Sequence, residues 1–187
     1  MPIIASALWR RIDTPGHDAC RLEELPSGWR LNGAAVFLHR GEPVNLSYAV
    51  RCDHGWRASY GRVFGAVGGQ TVDYVIQRRS DHGWTLNGER VDSLDHLDDL
   101  DLSFTPATNV LQIRRVALPL GEAVRLPAAW FDFDSGALSE LEQIYERRSA
   151  CALDYRAPGV GYEGLLELAL NGFIRIYPGL WEAEETR

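Results

Sequence analysis

The stretch Asp99-Leu-Asp-Leu-Ser-Phe-Thr-Pro-Ala-Thr-Asn-Val-Leu-Gln-Ile-Arg-Arg115 decides how the rest of the chain is read. From Asp99 to Phe104 polar and apolar residues alternate, the period of a half-buried strand with Leu100, Leu102 and Phe104 on one face. Thr105-Pro106 ends that ladder, because proline has no N–H to donate and drives the residue before it into extended geometry. A turn or sheet exit over Thr105 to Asn109 follows, and then the short apolar segment Val110, Leu111 and Ile113, closed by Arg114-Arg115. A strand, a polar break and paired arginines suit the wall of a pocket. They contain no catalytic arrangement.

Upstream of this stretch the chain reads as an antiparallel meander. Ile3 to Ile12 makes a first strand anchored by Trp9 and stopped by Thr14-Pro15-Gly16. A weak repeat follows: Gly28-Trp-Arg-Leu-Asn-Gly33 returns as Gly83-Trp-Thr-Leu-Asn-Gly88, and Asp53-His-Gly-Trp56 returns as Asp81-His-Gly-Trp84. Asp-His-Gly suits a tight connection with glycine at positive φ, the tryptophan then starting a strand, and Asn-Gly suits the type I′ turn of a hairpin. Both signals are expected to mark reversals. Leu46 to Cys52, Arg57 to Phe64 and Thr71 to Arg78 are the strands between them. The acidic run Asp92, Asp95, Asp98, Asp99 lacks the glycine and terminal glutamate of a calcium loop and reads as a solvated turn.

Downstream, Ala123 to Phe133 is an edge or bent strand interrupted at Leu126-Pro127. Leu138, Leu141, Ile144 and Tyr145 then recur at spacings of three and four after Asp134-Ser135, which predicts one amphipathic helix over 136–148 plugging or flanking the sheet. Cys151 to Tyr155, Leu165 to Leu170 and Phe173 to Tyr177 are further strands, Asn171-Gly172 making a hairpin, and the acidic tail after Trp181 is expected to fray. The fold class is therefore mainly β, a β-rich α+β chain with a curved antiparallel meander or half-barrel and one helix.

Composition bounds the function. The 187 residues suit one domain, and 45% hydrophobic with 24% charged residues is an ordinary globular balance. A net charge of −7 argues against nucleic acid or an anionic membrane as partner, since both need a basic footprint. No apolar run approaches a membrane span and no leader pattern is visible, so the protein is expected to stay in the cytoplasm without stable membrane insertion. Cys20, Cys52 and Cys151 are widely spaced and read as reduced thiols.

Chemistry motifs are missing. Gly159-Val-Gly-Tyr-Glu-Gly164 matches a dinucleotide fingerprint in letters but lacks the preceding buried strand and following helix. No nucleophile elbow, P-loop or metal-spaced His or Cys pair occurs, and the histidines are scattered among turns. Neither cofactor nor metal is expected. The distinctive feature is aromatic: six tryptophans and seven tyrosines, residues that pack strands and also line cavities.

Asp101 to Arg115, Trp130, the predicted helix carrying Gln143 and Tyr145, and the ending Gly172-Phe-Ile-Arg-Ile-Tyr-Pro-Gly-Leu-Trp181 together resemble the putative glycolipid-binding family of bacteria. The resemblance implies a curved antiparallel sheet around an apolar cavity, similar in architecture to lipoprotein and glycolipid carriers, and a lipid or glycolipid-like ligand. The candidate ligand-binding residues are Asp101, Thr108, Asn109, Arg114, Arg115, Trp130, Tyr145 and Tyr177. An arginine at the mouth is expected to hold a phosphate or a sugar, with at most one of Arg114 and Arg115 facing the pocket if the two lie on a strand. The leading expectation is a non-enzymatic binding protein that shelters an amphiphile. An enzyme acting on a hydrophobic substrate through Tyr145, Asp101 or Arg114, and a protein-interaction domain using a sheet edge, are the competing readings.

Overall fold

The computed structural model describes residues 2–79 and 83–187. Its first half is a meander of antiparallel neighbours: β1 (Ile3–Arg11), β2 (Gly16–Leu25), β3 (Gly28–His39), β4 (Glu42–Cys52), β5 (Ala58–Val67), β6 (Gln70–Arg79), β7 (Gly83–Leu86) and β8 (Glu89–Arg90). After β9 (Asp99–Leu102) comes α1 (Asn109–Val116), then β10 (Ala123–Arg125), β11 (Ala128–Asp132) and β12 (Ala137–Leu141). The chain ends with β13 (Ile144–Ser149), β14 (Ala152–Ala157), β15 (Tyr162–Leu168), β16 (Ile174–Tyr177) and β17 (Trp181–Thr186).

Fourteen strands form one open, curved sheet in the order β10-β13-β14-β15-β16-β17-β1-β2-β3-β4-β5-β6-β7-β8. The two ends of the chain meet in its middle, where Arg11 pairs with Trp181 and Ala7 with Thr186. The segment after Trp181 is thus a paired strand and not the frayed tail its acidity suggests. The open edge of β1 offers unpaired N–H and C=O groups, and β17 satisfies them while placing Trp181 in the core.

β9, β11 and β12 form a separate small sheet in which β9 and β11 run parallel, against the expectation of an antiparallel meander throughout. This sheet divides the interior. Leu100, Leu102, Phe131 and Leu138 join the core under the first half of the large sheet. Leu141, with Tyr145, Tyr155 and Leu166, belongs to a second core under the other half. On the face read as wet, Asp99 is covered as well, at 1% exposed, and Asp101 is half-buried.

The same double burial explains why the predicted helix over 136–148 is two strands. Leu138 and Leu141 lie three apart because they serve opposite faces of β12, one in each core, and their pairing with Phe131 and Ala128 fixes them as sheet. The break at Glu142-Gln143 resets the alternation, so Ile144 and Tyr145 fall at helical spacing by coincidence. The helix lies instead at α1, directly after the Pro106 break, and ends at Ala117, whose left-handed φ of 46° lets its N–H reach the Ile113 carbonyl. Arg114 and Arg115 occupy its last turn, where the partial negative charge of the helix end favours cations.

The turn signals divide. Asn87-Gly88 takes φ of 51° and 87° and joins β7 to β8, as its type I′ character requires, and Asn171-Gly172 turns β15 into β16. Asn32-Gly33 does not turn; it lies inside β3, paired with Ala49 and Tyr48. Gly28 and Gly83 open strands, whereas Trp56 sits in the turn itself at φ 66° and β5 starts at Ala58. Asp81 and His82 lie outside the described residues. Leu126-Pro127 splits the expected bent strand into β10 and β11, which belong to different sheets.

Candidate functional site

Where β9 runs out and the Pro106 turn lifts away, the second face of the small sheet is left partly open toward β14, β15 and β16. The opening is a cleft of about 280 Å³. Asp101 and Trp130 stand side by side as register partners on adjacent strands and form its floor with Asn109. Tyr155, Tyr162 and Tyr177 form the opposite wall, their ring centroids 5.0 to 5.9 Å apart, and Trp181 closes one side.

Beneath the floor runs a buried polar network. Gln143 Nε2 donates to Asp101 Oδ2 at 2.6 Å, and Asn109 Nδ2 donates to the Tyr145 hydroxyl at 2.9 Å. That hydroxyl donates to Gln112 Oε1 at 2.9 Å, with Gln143 Oε1 at 3.3 Å. Tyr145, Gln112 and Gln143 are all at most 2% exposed, so the network holds the floor rigid from α1 and β13. Burial pushes the Asp101 carboxyl up to about 6, the Gln143 bond working against the shift and Asp99 adding to it. Burial likewise holds the phenols of Tyr145 and Tyr177 well above their ordinary range, so both stay protonated.

Of the residues expected at a site, the fold brings Asp101, Asn109, Trp130 and Tyr177 to the cleft, with Tyr145 directly behind them. Thr108 is buried, and its hydroxyl accepts the Leu102 N–H at 3.4 Å, shaping the turn. The arginines do not reach the cleft. Arg115 binds Asp99 through Nε and Nη2. Arg114 donates Nη2 to the Asn171 carbonyl at 2.7 Å and lies 5.0 Å over Trp56, which stacks on Trp29 at 4.5 Å. The expected arginine at the polar mouth is thus corrected: a helix turn, not a strand, carries the pair and turns it to structural partners. Gln112, Tyr155, Tyr162 and Trp181 were not legible as site residues, because nothing local distinguishes them from core.

The wide chamber inside the curve is also corrected. Trp9, Trp84, Tyr48, Phe131 and Phe173 fill that space, the indole N–H of Trp9 bonding the Ile174 carbonyl and that of Trp84 the Leu97 carbonyl. A broader trough of about 640 Å³ lies on the outer face of the large sheet, with Leu8, Ala19, Ala34, Ser47 and Phe64 in register across it. It is shallow, and the polar network that Tyr48 makes beneath it, with Asp18 and Thr105, is fully buried. Among the described residues no group of His, Cys, Asp and Glu is arranged to hold a metal ion, and no helix is long and apolar enough to cross a membrane.

An open curved sheet wrapped around a smaller one, leaving an aromatic-walled cleft over a buried polar floor, defines a class of β proteins equipped with a ligand-sized recess. More specifically, residues 6–183 match the family model described as "Putative glycolipid-binding", and the chain belongs to that family. A crystal structure of a DUF1089 family protein from Pseudomonas aeruginosa shares the fold, with a TM-score of 0.76 and 21% sequence identity over 88% of this chain and 91% of that one. No curated protein matches the chain.

Proposed function

We propose that the protein binds the sugar headgroup of an amphiphile in the cleft between β9 and β14–β16, and that it acts by binding and not by turnover. The family membership supports the ligand class. The observation that carries the reading is the cleft itself: aromatic faces on one side, and on the other a carboxylate and an amide fixed by a buried network. Apolar walls with a few placed polar groups are the usual composition of small-molecule sites. A volume of about 280 Å³ takes a monosaccharide and leaves a long acyl chain outside. The headgroup is therefore the part recognised, which replaces the expectation of a tail sheltered within the sheet.

Isothermal titration with octyl β-D-glucopyranoside, kept below micelle formation, tests the reading. Saturable binding that falls at least about tenfold, or 1.4 kcal/mol, in Trp130→Ala and Tyr155→Ala supports it. Binding untouched by both substitutions places the ligand elsewhere and refutes it. Release of free sugar on prolonged incubation with alkyl glycosides, lost in Asp101→Asn, replaces binding with catalysis.

A further inference from the structure

Two polar groups fixed in the floor of the cleft turn oxygen acceptors toward it, and the donors among its lining, the serine, threonine and tyrosine hydroxyls and the tryptophan indoles, are all neutral. Gln143 occupies Asp101 Oδ2, and among the described residues no protein donor reaches Oδ1. Asn109 spends its amide N–H on Tyr145, which leaves its side-chain carbonyl as the end without a protein donor. Both fixed groups are acceptors. The chain has no lysine, and neither arginine nor histidine lines the cleft. The arginines around it are already spent: Arg11, 5.3 Å over the Trp181 ring, is paired with Asp13, and Arg115 is committed to Asp99. The tyrosine and tryptophan faces add the negative side of their quadrupoles, which attracts cations and C–H edges and repels anions.

Resting on the headgroup reading above, we infer that the cleft selects headgroups that present hydrogen-bond donors and carry no negative charge, neutral sugars and amino sugars, and rejects phosphorylated or carboxylated ones, with Asp101 as the selecting residue. A neutral sugar hydroxyl donates to Oδ1. An ammonium makes the same bond with charge assistance. A phosphate or carboxylate set there loses its hydration, finds no cation, and meets a like charge.

The test uses three probes with one chain and one ring: octyl β-D-glucopyranoside, octyl 2-amino-2-deoxy-β-D-glucopyranoside and octyl β-D-glucopyranosiduronic acid, titrated at pH 7, where the amine is mostly protonated and Asp101, raised to about 6, is mostly ionised. The expected order is amino sugar tightest, glucoside next, and glucuronide weaker than glucoside by at least about tenfold. Asp101→Asn keeps an acceptor for Gln143 and turns an N–H toward the cleft, so the glucoside and the amino sugar, which lose their acceptor, should weaken while the glucuronide, which gains a donor and loses a like charge, tightens, closing or reversing the order. Glucuronide binding as tight as glucoside in the native protein overturns the selection while leaving the headgroup reading intact. An unchanged order in a folded Asp101→Asn variant removes Asp101 as its cause. Failure of all three probes to bind overturns the headgroup reading and this inference with it.

Discussion

Arg115 and Asp99 form a bidentate pair, Nε to Oδ1 at 3.0 Å with Nη2 on Oδ2, that bolts the last turn of α1 to the first residue of β9. The carboxylate is 1% exposed, and burial raises its pKa even against the guanidinium. Removing the arginine leaves a buried charge without its partner. Arg115→Ala should therefore lose about 3–5 kcal/mol in urea unfolding, and the paired change Asp99→Asn with Arg115→Met should recover most of that. Equal losses in the single and double variants would refute this account.

Arg114, its neighbour on the same turn, is held differently. Its Nε is buried without a partner, and burial lowers the guanidinium pKa. What it gains is one carbonyl bond and the Trp56 face. Arg114→Met should cost only about 1–2 kcal/mol and leave alkyl glucoside affinity unchanged. Loss of glucoside binding in a stable Arg114→Met variant would return this arginine to the site.

Asp18 is fully buried and has no cation; the Tyr48 hydroxyl lies 3.0 Å from Oδ2, and Thr105 also donates to it. Burial raises its pKa from 3.8 to about 7. The folded protein thus keeps a proton that the unfolded chain has released, so this group favours the fold below pH 4 and loses that contribution as pH rises to about 7. Asp18→Asn should flatten that slope and stabilise the protein at pH 8 by about 4 kcal/mol, read from denaturant midpoints at successive pH values. Asp101, raised to about 6, supplies the smaller slope of the same sign that remains. A native stability that rises from pH 4 to 8 would contradict the assignment.

Gly33 lies against the Tyr48 ring: a Cβ there would sit 2.3 Å from Cζ and 2.4 Å from the hydroxyl oxygen. Its glycine thus serves close approach, not a turn. Gly33→Ala should cost about 1–3 kcal/mol by overpacking. Tyr48→Leu, by removing the ring, should make a second substitution at Gly33 nearly free, which a double-mutant cycle measures. Additive costs in that cycle would show that the contact does not matter.

Much of the fold was legible locally, and the failures share a cause. Pro106 marked the end of β9, and Asn87-Gly88 and Asn171-Gly172 marked real turns, because each acts through its own backbone. Asn32-Gly33 misled because the same dipeptide also serves where another side chain needs room. Leu138, Leu141 and Tyr145 mimicked a helix because periodicity assumes one apolar face, and the two leucines of β12 are buried in different cores. Asp101, Asn109, Trp130 and Tyr177 were named from the pocket-like stretch and the family resemblance, and they do converge. Arg114 and Arg115 were misplaced because a residue's direction differs between strand and helix.

The sequence by itself determined a β-rich chain, its antiparallel first half, the turns at Asn87-Gly88 and Asn171-Gly172, and the absence of recognisable catalytic motifs, since these depend on neighbours a few residues apart. Only the tertiary structure decided that α1 and not residues 136–148 is helical, that the small sheet feeds side chains into two cores, and that β17 closes onto β1. It also decided that the recess lies between two halves of the chain, with the Asp101 carboxylate in its floor. Those outcomes rest on contacts across more than a hundred residues, such as Trp9 to Ile174, where burial and backbone hydrogen bonding outweigh local pattern.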